Sequence, residues 1–393
     1  MIADISNVCA RRLLGAIALF CAVLIANPVW AQTAAAIPSE EDVPIAVLVD
    51  ITSGQVLHSR NSDRRFVPAS ITKVMTMFHA FELIEEGSLD PAQIMVMRDE
   101  TWKEWSGEGS TMWIGVGDRV TVDNLMTGIA NVSANDGAVM LAEGQAGTVV
   151  NWVGGMNLRA RALGMTNSHF GTPNGWPDEG ETFTTANDLV TLAEALIGRH
   201  PEKFARYMGL TGFRYNGIAQ INHDPLIGRT RGADGIKTGY TNEAGFGYLG
   251  TAQRAGQRLV LVVAGVDRGS RRARAARAYM EWGFAAFDRE RLFASGQTVG
   301  SARVQGGSLR SIALKTDRTV FVNVPKGRAS EMRLSIIYDG PVRAPFAEGQ
   351  QIATLVIEVP DMEPARVPLV AAGTVEEAGF FARIINGIAG WFG

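Results

Sequence analysis

The sequence lacks several features typical of common enzyme and binding classes. It has two cysteines in 393 residues, Cys9 and Cys21, and both precede residue 31. Its 37 basic and 40 acidic side chains give a net charge of -3, so no chain-wide positive field exists to hold a nucleic acid. The GxSxG, HExxH and GxxxxGK[ST] patterns are absent, and the five histidines are scattered, as structural histidines usually are. No residue cluster requires a metal or another cofactor.

The N-terminus has the pattern of an export signal. Arg11 and Arg12 precede an apolar run over residues 13–26, and Val29-Trp30-Ala31 fits a cleavage site after Ala31. A membrane-spanning anchor is the alternative, but this run is shorter than the roughly 20 residues that cross a bilayer. Cleavage would remove residues 1–31 and both cysteines, so the exported chain would have neither a disulfide nor a thiol nucleophile.

Residues 40–295 combine strand and helix patterns. Two β-rich runs, 45–50 and 55–58, flank a turn and predict a hairpin, and a helical period over 68–86 follows. Further patterns predict helices at 122–130, 136–145, 148–163, 185–197 and 270–288, and strands at 245–251 and 258–266. Strands at both ends with helices between them predict an α/β (α+β) domain whose antiparallel sheet is flanked by helices.

The pattern changes near residue 298. Short β-rich runs between Gly, Pro and Asp turns predict a small all-β domain over 298–372, which contains no cluster of acids, bases or nucleophiles. Over 375–393 apolar residues recur at helical spacing, which predicts an amphipathic helix. This helix would lie on a membrane surface as an anchor or, alternatively, pack against the β domain.

The start of the first long helix carries a possible nucleophile and base. Ser70 and Lys73 are three residues apart and share a helix face, so the hydroxyl and the amine can meet. Free N–H groups at a helix start can stabilise a developing negative charge. This SxxK pattern is common by chance, and it acquires meaning only with partners elsewhere in the chain.

Two further triplets supply such partners. Ser133-Ala134-Asn135 lies between two predicted helices and offers a hydroxyl to move a proton and an amide to hold a carbonyl. Lys237-Thr238-Gly239 begins a predicted strand, where a cation and a hydroxyl can bind a carboxylate and Gly239 leaves room for a substrate backbone. Each triplet alone would be read as a surface turn.

A glycine motif later in the chain does not indicate a nucleotide site. Residues 245–250 match GxGxxG, but they lie in a predicted strand–strand hairpin rather than before a helix. A chance match is therefore expected, and the alternative is that these glycines allow another backbone or a ligand to approach closely.

In the order SxxK, SxN and KTG, the three triplets form the set found in penicillin-binding proteins and class A β-lactamases. The sequence resembles the low-molecular-mass penicillin-binding proteins that are serine-type D-Ala-D-Ala carboxypeptidases, of the penicillin-binding protein 5 type. The resemblance covers nearly the whole chain after the signal. It extends through residues 54–57, 116–121, 172–175 and 234–241.

The resemblance implies a role for each site residue. Ser70 would attack the carbonyl of the penultimate D-alanine, Lys73 would be its base, and Ser133 would relay a proton to the leaving amine. The peptide would be held by Asn135. The remaining substrate-binding positions are Lys237 and Thr238 for the terminal carboxylate, Gly239 beside the substrate backbone, and Tyr240, whose N–H would complete the oxyanion hole with that of Ser70.

The scheme requires Lys73 to be partly neutral, because an ammonium cannot accept a proton. Lys237, a second cation in the same cleft, would disfavour charge on Lys73. An arginine that assists carboxylate binding in relatives matches Arg272, although Arg271 and Arg274 fit nearly as well and the alternative is a solvated basic face. Three departures from the family pattern, Tyr240, Ala134 and Trp176, are expected to affect substrate preference.

The resemblance implies a periplasmic D-alanyl-D-alanine carboxypeptidase that trims peptidoglycan stem pentapeptides and is acylated by β-lactams. It would lie on the outer face of the cytoplasmic membrane through its C-terminal helix. D,D-endopeptidase or β-lactamase action through the same acyl-serine is the alternative, with Glu179 or Glu181 as a candidate base for β-lactam turnover. A non-catalytic cell-wall scaffold is the alternative from another class.

Overall fold

The structure is a computed structural model that describes residues 36–379. The predicted export signal over 1–31 lies outside the described residues. Among those residues, no helix is both long and apolar enough to cross a bilayer.

A five-stranded antiparallel sheet forms the centre of the N-terminal region. Its strands, in spatial order, are β2 (Gln55–Arg60), β1 (Ile45–Asp50), β9 (Gln257–Val266), β8 (Gly245–Arg254) and β7 (Ala233–Thr241). The strand β1 reads as a continuous apolar run because both of its faces are buried. Val47 and Val49 belong to a core shared with a helical layer, whereas Ala46 and Leu48 belong to a second core on the opposite face.

Helices cover both faces of this sheet. They are α1 (Lys73–Glu85), α2 (Asp99–Trp105), α3 (Val122–Val132), α4 (Asn135–Ala146), α5 (Val149–Ala162), α6 (Ala186–Arg199), α7 (Pro201–Tyr207) and α8 (Gly269–Ala285). The helix α8 covers one face through Ala276, Tyr279 and Met280, and α1, α3 and α6 contribute to the core on the other. Two small hairpins lie beside the helical layer: β3 (Ile94–Val96) with β4 (Arg119–Thr121), and β5 (Gly212–Tyr215) with β6 (Ile218–Ile221). The predicted antiparallel sheet flanked by helices is confirmed.

The C-terminal region is all β, as predicted. Its strands are β10 (Phe287–Phe293), β11 (Thr298–Gln305), β12 (Ser311–Lys315), β13 (Val320–Pro325), β14 (Arg333–Ile337), β15 (Val342–Arg343), β16 (Gln351–Glu358) and β17 (Ala365–Ala371). The strands β10 and β13 pair with each other, and the other six form a sheet in the order β14-β16-β17-β12-β11-β15. Alternating apolar residues of these strands make a separate core.

The predicted C-terminal helix does not begin at residue 375. Val375 and Glu377 form isolated β-bridges with Phe346 and Gly307, so this segment is extended against the β region. The rest of the predicted helix, residues 380–393, lies outside the described residues.

A buried polar cluster joins the two regions. Asn323 of β13 is fully buried and its side-chain amide donates to Asp50 Oδ2 at 2.6 Å and to Ser53 Oγ at 3.1 Å. Its Oδ1 accepts from Gln257 Nε2 at 3.1 Å, and its backbone N–H donates to Gln55 Oε1 at 2.6 Å. The Asp50 carboxylate is also fully buried, and its Oδ2 depends on Asn323 and on Gln257 Nε2, which donates to it at 3.0 Å.

We expect Asn323→Ala to lower the free energy of unfolding by about 2–4 kcal/mol, because it leaves a buried carboxylate short of a donor. Urea unfolding followed by circular dichroism measures this loss. Asn187→Ala is the matched control, since Asn187 is exposed and donates to Asp63 at 2.7 Å. Equal losses of unfolding free energy in the two variants would show that the buried cluster contributes no more to stability than an exposed hydrogen bond.

Candidate active site

Ser70 lies on a short 3-10 helix, Ala69–Thr72, that leads directly into α1. Two glycines allow other segments to approach this turn closely. A Cβ at Gly239 of β7 would lie 2.4 Å from Pro68 O, and one at Gly175 would lie 1.9 Å from Ala69 O. Any larger residue would push these segments away, so the glycines determine how close the strand and the 172–176 loop come to Ser70.

Lys73 is fully buried beneath Ser70. Its Nζ lies 2.9 Å from Ser70 Oγ, 2.7 Å from Asn135 Oδ1 and 2.6 Å from Asn174 O. Burial first, and then the charge of Lys237, holds the pKa of Lys73 well below its usual range, while Asp136 acts in the opposite direction. The amine is thus surrounded by neutral oxygens in a site that disfavours its charge.

These contacts show how a neutral Lys73 would face Ser70. Asn135 Oδ1 and Asn174 O are acceptors only, so each must receive a proton from Lys73 Nζ. A neutral amine has two N–H groups, which these acceptors use, and its lone pair then points to the remaining partner. Ser70 Oγ, 2.9 Å from Lys73 Nζ, is that partner, so a neutral amine could accept the Ser70 proton, which is the arrangement that a general base requires.

The SxN triplet lies on the connection between α3 and α4. Ser133 has a left-handed backbone with φ of 63° at the end of α3, and Asn135 begins α4. The Asn135 side chain donates to Glu108 O at 3.0 Å, which fixes its amide with Oδ1 toward Lys73. Burial raises the pKa of the next residue, Asp136, which accepts from the N–H groups of Met112 and Ile114 and so pins the loop beside the cleft.

The KTG triplet lies on β7, at the edge of the sheet next to Ser70. Lys237 is buried and its Nζ donates to Thr238 O at 3.1 Å. Burial and the charge of Arg272 lower the pKa of Lys237 to about 7, although Asp224 acts to raise it. Lys237 therefore changes charge close to neutral pH.

Arg272 is the arginine of α8 that reaches the cleft. Its guanidinium lies 5.6 Å from the Phe246 ring, and its Nη1 donates to Gly247 O at 3.5 Å. Arg271 instead pairs with Asp42 and Asp267, and Arg274 is exposed beside a separate groove. Of these three arginines, Arg272 is the one that lines the cleft.

The three triplets meet at one cleft of about 340 Å³. Lys73 and Lys237 lie beneath it, and the other predicted site residues line it: Ser70, Ser133, Asn135, Thr238, Gly239, Tyr240 and Arg272. The cleft is also lined by residues that were not predicted as site residues: Gly109, Ser110, Asn174, Gly175, Trp176, His223, Thr241 and Phe246. Asn174 lies within a segment that the resemblance singled out, and Trp176 was noted as a departure from the family pattern, whereas His223 had no distinguishing signal.

The other candidate residues lie elsewhere. Glu179 and Glu181 are exposed and are not among the residues that line the cleft. The GxGxxG glycines lie within β8, where a Cβ at Gly247 would come 3.1 Å from Ile71. These glycines therefore allow close packing, as the alternative interpretation held.

The sequence is similar to known D-alanyl-D-alanine carboxypeptidases. Residues 31–268 match the family model described as D-alanyl-D-alanine carboxypeptidase, and residues 287–377 match that of the penicillin-binding protein 5 C-terminal domain. D-alanyl-D-alanine carboxypeptidase DacA of Haemophilus influenzae is 31% identical over 341 residues, which is 86% of each chain. DacD of Salmonella typhimurium is 32% identical over 382 residues, which is 95% of this chain and 97% of the relative.

The fold is also similar to solved structures of penicillin-binding proteins. Penicillin-binding protein 5 from Haemophilus influenzae has a TM-score of 0.77 at 30% identity and covers 87% of this chain and 100% of its own. Penicillin-binding protein D2 from Listeria monocytogenes, in an ampicillin-bound form, has a TM-score of 0.55 at 26% identity, with 62% of this chain and 97% of its own covered. The predicted resemblance is confirmed.

Proposed function

The chain belongs to the D-alanyl-D-alanine carboxypeptidase family, and from this premise we propose that it removes the terminal D-alanine of peptidoglycan stem pentapeptides through an acyl-enzyme on Ser70. The observation that carries this proposal is the buried Lys73 amine, 2.9 Å from Ser70 Oγ, with its other contacts made to acceptors only. This is the arrangement of a serine nucleophile with a neutral amine as its base.

Acylation begins when Ser70 Oγ transfers its proton to Lys73 Nζ and attacks the carbonyl carbon of the penultimate D-alanine. The carbonyl oxygen becomes an oxyanion, which the backbone N–H groups of Ser70 and Tyr240 stabilise. The C–N bond then breaks, and Ser133 donates its proton to the leaving amine of the terminal D-alanine while it takes the proton held by Lys73, which returns Lys73 to its neutral form. In deacylation, water attacks the ester carbon, Lys73 accepts the water's proton, and Ser70 leaves protonated.

The end of the cleft at β7 and α8 fits the substrate's terminal carboxylate. Lys237, Thr238 and Arg272 supply a cation, a hydroxyl and a guanidinium there. Arg272 Nε is buried without a hydrogen-bond partner among the described residues, so the guanidinium still has a donor to satisfy. Asn135, fixed through Glu108 O, holds the substrate's peptide group on the other side of the scissile bond.

We expect the KM for a stem pentapeptide to rise roughly tenfold as the pH rises through about 7, because Lys237 loses its charge and the carboxylate loses a charged partner. Steady-state kinetics between pH 6 and 8.5 measure the change. A pentapeptide with a C-terminal amide is the control, because its KM should not follow this titration. A flat KM for the free acid would contradict the role of Lys237.

The same serine would be acylated by β-lactams, since their ring carbonyl and carboxylate present the same pair of groups to Ser70 and Lys237. Relatives from Listeria monocytogenes are known in ampicillin-bound and cefotaxime-bound forms. Glu179 and Glu181, the candidate bases for β-lactam turnover, are exposed and do not line the cleft. Slow deacylation, and hence inhibition, is the expected outcome.

We further propose that the chain is exported, with residues 1–31 as its signal, and lies on the outer face of the cytoplasmic membrane. The apolar spacing of residues 380–393 supports a surface anchor. The pairing of β10 with β13 supports a boundary between the catalytic and β domains near residue 286, slightly earlier than residue 295.

The test is direct. The purified protein should bind a fluorescent penicillin covalently in a one-to-one ratio and should release D-alanine from a stem pentapeptide. Mass spectrometry of the products from a cross-linked muropeptide, run beside the stem pentapeptide, distinguishes cleavage of a cross-link from removal of the terminal residue. A protein that neither binds the penicillin nor releases D-alanine would contradict the proposal.

A further inference from the structure

A buried carboxylate lies behind the cations of the cleft. Asp224 is 7% exposed and directly follows His223, which lines the cleft. Its Oδ1 accepts from the backbone N–H groups of Leu226, at 2.7 Å, and Ile227, at 3.3 Å. These donors are neutral and lie in the carboxylate's own loop. They fix the carboxylate in place, and no step of the reaction uses it.

Tyr248 of β8 holds this carboxylate from the side of the sheet. Its side chain is fully buried, and its hydroxyl lies 3.2 Å from Asp224 Oδ1 and 3.1 Å from Asp224 Oδ2. The same hydroxyl lies 3.2 Å from Gly235 O, two residues before Lys237 on β7. Tyr248 therefore links the loop of Asp224 to the strand that supplies Lys237.

A glycine leaves the space that the Tyr248 ring occupies. A Cβ at Gly250 would lie 2.1 Å from this ring, and Gly250 is the last glycine of the GxGxxG match. Residues two apart in a strand point to the same face, so any side chain at position 250 would displace the ring. The glycine thus allows the Tyr248 hydroxyl to reach Asp224.

Arg272 and Lys237 are the two cations that this carboxylate influences. Arg272 Nη1 donates to Gly247 O at 3.5 Å, which places the guanidinium beside the residue that precedes Tyr248. The charge of Asp224 acts to raise the pKa of both cations, although burial lowers the pKa of each. Opposite charges attract strongly in a buried site, because little water screens them. The carboxylate therefore offsets part of the cost of burying two cations.

The other titratable groups near Lys237 cannot replace this negative charge. They include Lys73 and His223, whose pKa values the charge of Lys237 lowers, and both side chains are neutral or positive. Tyr248 stays neutral, because burial holds its pKa well above its usual range. The two cations and Asp224 together have a single positive charge, which one substrate carboxylate neutralises.

We propose that Asp224 is a positioning residue that acts as the counter-ion of Lys237 and Arg272, so that both remain charged and ready to bind the substrate's terminal carboxylate. Asp224 does not itself line the cleft, and it acts through the two cations. Tyr248 holds Asp224 in this role. The kinetic part of this inference rests on the proposed carboxypeptidase function, whereas the charge of Lys237 can be measured without turnover.

The experiment compares the native protein with Asp224→Asn, which keeps an acceptor for the two backbone N–H groups and removes the charge. NMR titration of protein with lysine labelled at ¹³Cε follows Lys237, whose signal is assigned by its absence from Lys237→Met. Since Asp224 acts to raise the pKa of Lys237, we expect the midpoint, about 7 in the native protein, to fall by about one pH unit. The KM for a stem pentapeptide should then rise about threefold at pH 7 and stay close to the native value at pH 5.

Two controls separate this role from a structural one. Asp234→Asn is the matched variant, because Asp234 also lies on β7 but is partly exposed and pairs with Arg258 at 2.8 Å, and it should keep the native Lys237 midpoint. The pentapeptide with a C-terminal amide is the matched substrate. Its KM should be the same for native protein and Asp224→Asn, whereas a distorted cleft would weaken the binding of both peptides.

Each outcome decides one point. A native Lys237 midpoint in Asp224→Asn would overturn the counter-ion, and so would equal rises in KM for the acid and the amide. If the native protein does not release D-alanine, the carboxypeptidase function fails, and the NMR midpoint still tests Asp224. Tyr248→Phe is a second variant that keeps the ring and removes a donor to the carboxylate. It should lower the Lys237 midpoint by less than Asp224→Asn does, and a midpoint at or above the native value would contradict the role of Tyr248.

Discussion

Replacing Ser70 by alanine should abolish both covalent penicillin binding and D-alanine release, with a loss of at least about 10⁴-fold in kcat/KM. Ser70 Oγ lies 2.9 Å from the buried amine, which makes it the hydroxyl that the amine can activate. Gel fluorescence with a labelled penicillin measures acylation, and a coupled D-amino-acid oxidase assay measures D-alanine.

Ser110→Ala is the matched control for this loss. Its hydroxyl lines the same cleft but has no contact with Lys73. The control should retain covalent labelling. If Ser70→Ala were still labelled, the nucleophile would be another residue and the mechanism would be wrong.

Replacing Lys73 by methionine should slow acylation about 10³-fold while Ser70 is still present, because general-base catalysis contributes roughly that factor. Methionine has a similar length and fills the buried space without a lone pair at the amine's position. The rate of penicillin labelling under single-turnover conditions isolates the acylation step from the later hydrolysis.

Lys103→Met controls for the loss of a lysine as such, since Lys103 is exposed and pairs with Asp99. Replacing Lys73 leaves Asn135 Oδ1 and Asn174 O without a donor, which costs stability. Circular dichroism and thermal unfolding therefore check that the Lys73→Met protein is folded. A folded Lys73→Met protein that is acylated at the native rate would show that Lys73 is not the base.

The elements with strong periodicity were predictable because their patterns reflect burial directly. The run at 45–50 became β1 with the same bounds, and the glycines of the GxGxxG match lie within a strand as the hairpin pattern indicated. Short elements were not predicted, among them α2 and α7. Each spans seven residues, too few for a helical period to stand out, and each is stabilised by tertiary packing.

The exact start of α1 could not be predicted from the sequence, for a different reason. The pattern predicted a helix from residue 68, but Ala69–Thr72 form a 3-10 turn and the α-helix begins at Lys73. Because Gly175 and Gly239 approach this turn from distant parts of the chain, its geometry depends on tertiary contacts. The meeting of Ser70 with Lys73 was nonetheless predictable, since three residues span one turn in either kind of helix.

The triplets identified the reacting groups, but the remaining walls of the cleft could not be predicted in the same way. Trp176 and His223 become part of the site only because segments far apart in the chain converge on the cleft. Asn323 is similar, since a single polar residue in a β-rich run gives no sign that it will be buried against Asp50. Contacts between residues far apart in the chain carry little local signal.

The central claim is that the buried amine of Lys73 is neutral at the pH at which the enzyme works. NMR titration of protein with lysine labelled at ¹³Cε tests it, with the Lys73 signal assigned by its absence from Lys73→Met. The account predicts that Lys73 titrates well below the ordinary lysine value, because burial and the charge of Lys237 disfavour its ammonium form. A Lys73 signal that remains cationic at pH 7 and titrates near the ordinary lysine value of about 10.4 would contradict the account.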